Sequence, residues 1–271
     1  MMYNGSMNAE EDAILALQDS GLLDVLIWAA PTAFAVTDQI FDEDAGHDQG
    51  VVGYLNFKHL VNMIDRATSN GRYALGSDVD GAGTDIVERG ITQEAVLSMP
   101  QILPGVITRC NFRQSPGWAV NGYRVLLQSF TFGRVDNIKW VLRSDAKRRV
   151  AAQVFITQDT LFDDADFGLE FLQGVPDDAD FTGITLVVAH AFNPITKQYE
   201  FYVGQSKNPE YPGDACWHWR RLLLAGGSQV GGVIPVGPSL LPGDAASADA
   251  DEISVRIKRP STGEGFGVAN G

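Results

Sequence analysis

The chain has 271 residues, of which 45% are hydrophobic and 20% charged, and its formal net charge is −14. The apolar content is ordinary for a globular protein and argues against a fibrous or intrinsically disordered chain. The negative charge argues against an extensive nucleic-acid surface, which needs many Lys and Arg side chains to neutralise phosphates.

Residues 1–70 are predicted to form a helical region. The N-terminus, MMYNGSMNAEEDA, has no basic segment followed by an apolar one, so no secretory signal is predicted. We therefore expect synthesis in the cytoplasm; the final location stays open, and a virion is one candidate. Asn8 is the expected cap of a first helix that breaks at Ser20-Gly21.

The longest apolar run of this region, Leu22 to Val36, is interrupted by Pro31 and contains Asp24. It falls short of the roughly 18–20 apolar residues of a membrane span, so we expect a core helix and no membrane partner. Pro31 is expected to open a separate segment. After the polar stretch DEDAGHDQG, NFKHLVNMIDRAT is predicted as a helix that ends before Ser69-Asn70-Gly71.

Residues 71–118 form a loop-rich connector with one short predicted helix, TQEAVLSM, that starts at Thr92. The connector includes SDVDGAGTDIVE, in which Asp78, Asp80 and Asp85 surround two glycines. Calcium needs several oxygen ligands on a sharply turning loop, so these three are candidate ligands. An EF-hand loop counted from Asp78 lacks the oxygen ligands of its fifth and twelfth positions, which favours a solvated acidic turn without Ca²⁺.

Residues 119–225 are predicted to be a β-rich core. Strands are expected at YRVLLQSFTF, IKWVL, VAAQVFITQ, ITLVVAHAF and QYEFYVG, which are rich in Val, Ile, Phe and Tyr. The loop NPITKQ should join the last two strands into an antiparallel hairpin. The segment WHWRRLLLAGG, from Trp217 onward, is predicted to be a helix.

Residues 226–271 are predicted to be an extended arm. A Gly/Pro-rich passage leads to one more strand, EISVRIKRP, and to a glycine-rich tail. Arms of this composition often become ordered only against a partner. The two cysteines, Cys110 and Cys216, belong to no metal-binding pattern and are expected to be free thiols.

The stretch VVAHAFNPITKQYEFYVGQSKNP, followed by arginines, resembles the core hairpin of the GIY-YIG nucleases. The resemblance implies a metal-dependent cleavage of phosphodiesters, with Mg²⁺ as cofactor and with Tyr202, Arg220 and His218 as catalytic residues. Arg220 or Arg221 would then lie on the helix after the hairpin. The first Tyr of the family is missing, since Gly183-Ile184-Thr185 lies too far upstream and Ala189 or His190 would stand opposite.

The GIY-YIG resemblance also lacks a helical Glu at an obvious distance after the hairpin, and Glu252 is one candidate for that role. A second nuclease alternative combines Asp180 with Gln205 and Lys207 as a divergent metal site, in which a metal-activated water would attack phosphate.

Taken together, the sequence predicts an α+β fold: a helical N-terminal part followed by a mostly antiparallel β-sheet and a Gly/Pro-rich C-terminal arm. No complete catalytic constellation is present, and no cofactor is expected unless the nuclease alternative holds. The leading hypothesis is a non-enzymatic structural or interaction subunit. It would form a homo-oligomer or join a larger protein assembly, such as a virion or phage structure.

Overall fold

A computed structural model describes residues 9–74, 84–153, 181–209, 211 and 213–227. The helices are α1 (Ala9–Asp19), α2 (Leu22–Ile40), α3 (Gln49–Ala67), α4 (Thr84–Glu88), α5 (Gln93–Leu97) and α6 (Asp145–Val150). The strands are β1 (Thr108–Arg109), β2 (Gly117–Val120), β3 (Tyr123–Ser129), β4 (Ile184–Asn193), β5 (Gln198–Ser206) and β6 (Trp217–Gly226), and short 3₁₀ helices cover 71–73, 135–137 and 140–142. The predicted α+β class, with helices first and a mostly antiparallel sheet after them, is confirmed.

The first two helices are separated where the sequence predicts a break. Gly21 has φ +77°, a left-handed conformation that glycine adopts without steric cost. The predicted break at Pro31 is wrong, because α2 runs through it. Thr32 donates its hydroxyl to the Trp28 carbonyl at 2.8 Å, and Ala30 and Ala33 are fully buried, so packing holds the helix together around the proline.

The third helix begins at Gln49, earlier than the predicted Asn56. Its cap is Asp48, whose Oδ1 accepts a hydrogen bond from the Val51 amide at 2.9 Å. Among the described residues, no single helix is long and apolar enough to cross a membrane. Of the described helices, α1 and α2 together reach the required length and composition, and that pair is bent by 80°.

The six strands form one sheet whose spatial order follows the sequence, β1 to β6. Neighbours are antiparallel except β3 and β4, which are parallel and therefore need a long crossover. The predicted hairpin of β4 and β5 around NPITKQ is confirmed. Its register pairs Ala189 with Tyr202 and His190 with Phe201.

Side chains alternate between the two faces of the sheet, so each face has its own core. The helices α1 to α3 cover one face, where the buried strand residues are Trp118, Val120, Val125, Leu127, Leu186, Val188, Phe192, Phe201 and Val203. The other face packs against α6 and the 3₁₀ helices. From the sheet and the residue before β6, this core contains Leu126, Val187, Ala189, Tyr202, Cys216 and Trp217, and from the covering helices it contains Trp140, Ala146 and Val150. The sheet is thus a middle layer, and β4 and β5 are buried on both sides.

Three predicted elements differ in the structure. WHWRRLLLAGG is a strand, so the helix predicted from Trp217 is wrong. IKWVL contains a 3₁₀ helix, and Val150, expected in a strand, ends α6. Arg and Leu favour helices locally, but β5 offers an edge to which residues 217–226 pair, and this long-range pairing outweighs the local preference.

Several predictions lie outside the described residues: the cap at Asn8, the strand EISVRIKRP and the arm beyond Gly227. The chain divides into two units at Pro235, and the second unit, 236–271, lies wholly outside them.

Candidate functional site

Tyr202 and Arg220, two of the residues singled out in the sequence, are in contact on the face of the sheet opposite the long helices. The guanidinium carbon of Arg220 lies 5.1 Å from the centre of the Tyr202 ring, a cation–π distance. Arg220 also holds Asp136 with two hydrogen bonds, from Nε to Oδ1 at 2.8 Å and from Nη2 to Oδ2 at 2.6 Å. Its charge is therefore neutralised within the chain.

Glu200 is the second acid near this pair. Its Oε2 accepts the Gly133 amide at 3.1 Å. Burial raises the pKa of Glu200, while the Gly133 hydrogen bond and the charge of Arg220 oppose that rise. Burial also raises the pKa of the Tyr202 phenol, and the carboxylate of Glu200 adds to it. Tyr202 is consequently a neutral hydrogen-bonding group near pH 7, with no tendency to act as a phenolate nucleophile.

His218 lies at an irregularity of β6. Gln205 pairs with Trp219 and Ser206 pairs with Trp217, so His218 is the extra residue of a β-bulge. Burial lowers the pKa of His218, and the nearby charge of Lys207 lowers it further. The imidazole is therefore neutral near pH 7.

The structure removes the helix on which the nuclease resemblance depends. Arg220 belongs to a strand, and its guanidinium is held by Asp136. The register places Ala189 opposite Tyr202, so the missing first Tyr is not supplied by the neighbouring strand. Gln205 of the second nuclease alternative is buried, and Asp180 and Glu252 lie outside the described residues.

The predicted calcium ligands cannot be assembled into a site. Asp78 and Asp80 lie outside the described residues, and Asp85 lies in α4, where its side chain is not described. In the described part of the chain, no group of three or more His, Cys, Asp or Glu side chains could hold a metal ion. Both cysteines are free thiols, as predicted, and burial raises the pKa of Cys216.

The feature that the sequence analysis missed is the edge of the sheet at β6. The strand has ten residues, and within the described ranges no other strand pairs with its outer side. Arg221 is also paired inward, with Nε 2.8 Å from Oε1 of Glu10 on α1. Trp217 and Trp219 favour a strand in this segment, but its arginines and leucines favour a helix, and the sequence analysis followed the latter.

No protein-family model, curated protein or solved structure matches the chain. The edge of β6 and the inward-paired arginines beside it are therefore the features from which a function is inferred.

Proposed function

We propose that the protein is a non-enzymatic assembly subunit that self-associates through the outer edge of β6. The observation that carries this proposal is that a ten-residue strand ends the sheet, with its outer backbone groups unpaired by any described strand. Such an edge presents a row of N–H and C=O groups to which a strand of another molecule can pair. The opposite edge, β1, has only two residues and offers little of this surface.

The charges on β6 do little to prevent such pairing. Edge strands are usually protected by charged side chains that face an approaching strand. Here Arg220 is bound to Asp136 and Arg221 to Glu10, so both arginines are committed to contacts within the chain. The bulges at His218 and Leu223 twist the strand locally and leave the stretch between them in regular register.

The predicted arm would leave the chain next to the same edge of the sheet. Residues 226–271 begin where β6 ends, so an arm that crosses to a neighbouring molecule would start from the interface itself. Pairing of β6 with β6 of a second copy is a two-fold contact that closes at a dimer, so a larger assembly would need the arm as a second contact. A virion or phage structure is the setting that we propose for such a subunit.

Light scattering coupled to size exclusion tests the proposal. We expect a discrete multiple of the 29.3 kDa chain. In the oligomer, the β6 amides should exchange hydrogen slowly, and dilution should speed that exchange. A chain that stays monomeric at every concentration would contradict self-association.

Two variants locate the interface. Ala225→Lys places a charge on β6 at a residue that belongs to neither core and should lower the mass, whereas Leu97→Lys, at a side chain that is 79% exposed on α5, should leave it unchanged. Truncation after Gly243 should weaken the oligomer. An increase in mass on truncation would instead mean that the arm shields the edge within one chain. Thermal unfolding of each variant confirms that it is folded.

The nuclease is the second candidate, and the contact between Tyr202 and Arg220 is the observation that favours it. It predicts Mg²⁺-dependent cleavage of DNA or RNA that is lost in Tyr202→Phe and in Arg220→Ala. Purified wild-type protein that cleaves neither substrate with Mg²⁺ present would exclude it.

A further inference from the structure

Three arginine side chains bind one carboxylate, that of Asp145, the first residue of α6. Nη1 of Arg113 lies 2.5 Å from Oδ2 of Asp145, Nη2 of Arg148 lies 2.6 Å from Oδ1, and Nε of Arg149 lies 3.1 Å from Oδ2. Three guanidinium groups around a single acid leave an excess of two positive charges. Arg148 and Arg149 are about half exposed, so donors remain available to an incoming anion. These four residues are called the arginine cluster below.

The backbone that places Arg113 in the cluster is unusual. Phe112 and Ser115 exchange two hydrogen bonds of 2.9 and 2.8 Å, which close a two-residue turn over Arg113 and Gln114. Both central residues have positive φ, 45° and 65°. Such turns favour Asn and Gly, because other side chains are strained there. From this turn the Arg113 side chain reaches Asp145, 32 residues along the chain.

A surface of opposite charge lies between α2 and α3. The loop Asp42–Asp48, called the acidic loop below, contains four carboxylates and no Lys or Arg. It is held in a defined shape, because Asp42 Oδ1 accepts the Asp44 amide at 2.9 Å and the His47 amide donates to the Asp42 carbonyl at 3.1 Å. Glu43 and Asp44 are exposed on it.

Both surfaces also carry exposed apolar side chains. Val141 and Leu142, which precede α6, are 58% and 65% exposed. Ile40, which precedes the acidic loop, is 46% exposed. Apolar side chains beside charges are typical of protein–protein interfaces, in which the charges set orientation and the apolar groups add burial.

The two surfaces lie at opposite ends of β4. Gln49, next to the acidic loop, donates to the Phe192 carbonyl at 3.2 Å. Gln153, just after α6, exchanges hydrogen bonds of 3.1 and 3.0 Å with the backbone of Thr185. Thr185 and Phe192 are seven residues apart on one strand, which corresponds to about 23 Å. The surfaces therefore do not meet within one chain.

We infer that the arginine cluster of one copy binds the acidic loop of the next copy, head to tail. This inference rests on the proposed self-association and adds a second, ionic interface to the edge of β6. Because the two complementary surfaces differ and lie at opposite ends of β4, the contact is heterologous. It therefore propagates into a ring or a filament.

Charge reversal tests the inference on the full chain. Glu43→Arg with Asp44→Arg changes the formal charge of the loop from −4 to 0 and exposes two guanidinium groups on it, and Arg148→Glu with Arg149→Glu changes that of the cluster from +2 to −2. Each double variant alone should remove the attraction between loop and cluster and lose the large species in light scattering. An equimolar mixture of the two should restore it, because the introduced arginines then face the introduced glutamates, and the unchanged cluster of one variant faces the unchanged loop of the other. Wild-type assembly should weaken about tenfold or more between roughly 50 and 500 mM NaCl.

The outcomes separate this inference from the proposed function. If the wild type is oligomeric but its mass is unchanged in both double variants and at high salt, the ionic interface is wrong and self-association stands. If the wild type is monomeric at low salt, self-association itself fails. Labelled single-stranded DNA supplies a further test. If the wild type binds this DNA, and if Arg148→Glu with Arg149→Glu abolishes that binding but leaves the oligomer intact, the cluster binds a nucleic acid and the inference is overturned. A mixture that fails to restore the large species also overturns it.

Discussion

Trp118 donates its indole N–H to Oδ1 of Asp65 at 2.9 Å, and this bond ties the end of α3 to β2. Arg109 on β1 donates to the same oxygen at 2.5 Å and stacks over the Trp118 ring at 4.6 Å. We expect Asp65→Ala to lower the free energy of unfolding by about 2 kcal/mol or more, because it leaves a buried indole N–H and a largely buried guanidinium without their acceptor. Urea unfolding followed by tryptophan fluorescence measures the loss.

Two further variants show whether Asp65 stabilises the fold as a hydrogen-bond acceptor or through its charge. Burial raises the pKa of Asp65 and outweighs the opposing effects of Arg109 and Trp118. Asp65→Asn keeps an acceptor for Trp118 and should therefore cost less than Asp65→Ala. Asp38→Asn removes the more exposed ion pair with Lys197 and should cost less than about 1 kcal/mol. Equal losses in all three variants would contradict this assignment.

Gly204, the glycine of the YVG stretch, is required by the close approach of β6. A Cβ at this position would lie 2.5 Å from the Trp219 carbonyl oxygen and 2.9 Å from Cα of Arg220. Gly204→Ala should therefore separate the two strands and cost about 1–3 kcal/mol, as overpacked cores do. The matched control is Gly53→Ala in α3, where nothing lies within 4 Å of the added Cβ.

The control should have the opposite sign, because alanine stabilises a helix interior by about 0.5–1 kcal/mol relative to glycine. Thermal unfolding of both variants decides the matter. An unchanged or higher melting temperature for Gly204→Ala would show that β6 does not pack against β5 as described.

The fold was predictable where neighbouring residues decide it. The hairpin of β4 and β5 follows from strand-forming residues on both sides of a short polar turn, and the break before α2 follows from Gly21. The strand β6 was not predictable, because its Arg and Leu residues suit a helix and only the free edge of β5 makes them a strand. Distant contacts such as Arg113 with Asp145 leave no trace in local sequence.

Arg220 should stabilise the protein more through Tyr202 than through Asp136. The side chain of Asp136 is 65% exposed, so solvent screens the ion pair and Asp136→Asn should cost less than about 1 kcal/mol. Arg220→Ala should cost more, since it also uncovers the ring of Tyr202, against which the guanidinium lies. Arg220→Lys, which keeps the charge but loses the planar stack, should fall between them in urea unfolding. An Asp136→Asn loss as large as that of Arg220→Ala would reverse this ranking.

Lys147 predicts a change of stability with pH. The residue is buried on α6, and burial lowers the pKa of Lys147 to about 8 from its ordinary 10.5. The neighbouring His190 carries no compensating charge, because burial and Lys147 hold the pKa of His190 at about 3. A lysine whose folded pKa is depressed binds fewer protons when folded, so stability rises with pH between about 8 and 10.5 and its charge is a constant cost below that window.

Lys147→Met should remove this cost. The variant should be more stable than the wild type at pH 7, by about 2 kcal/mol, and the difference should shrink steadily as the pH rises from about 8 to 10. Measuring the difference between the two proteins cancels the tyrosines and thiols that titrate in the same range. A difference that stays constant across that range would mean that Lys147 keeps an ordinary pKa and that its ammonium reaches solvent.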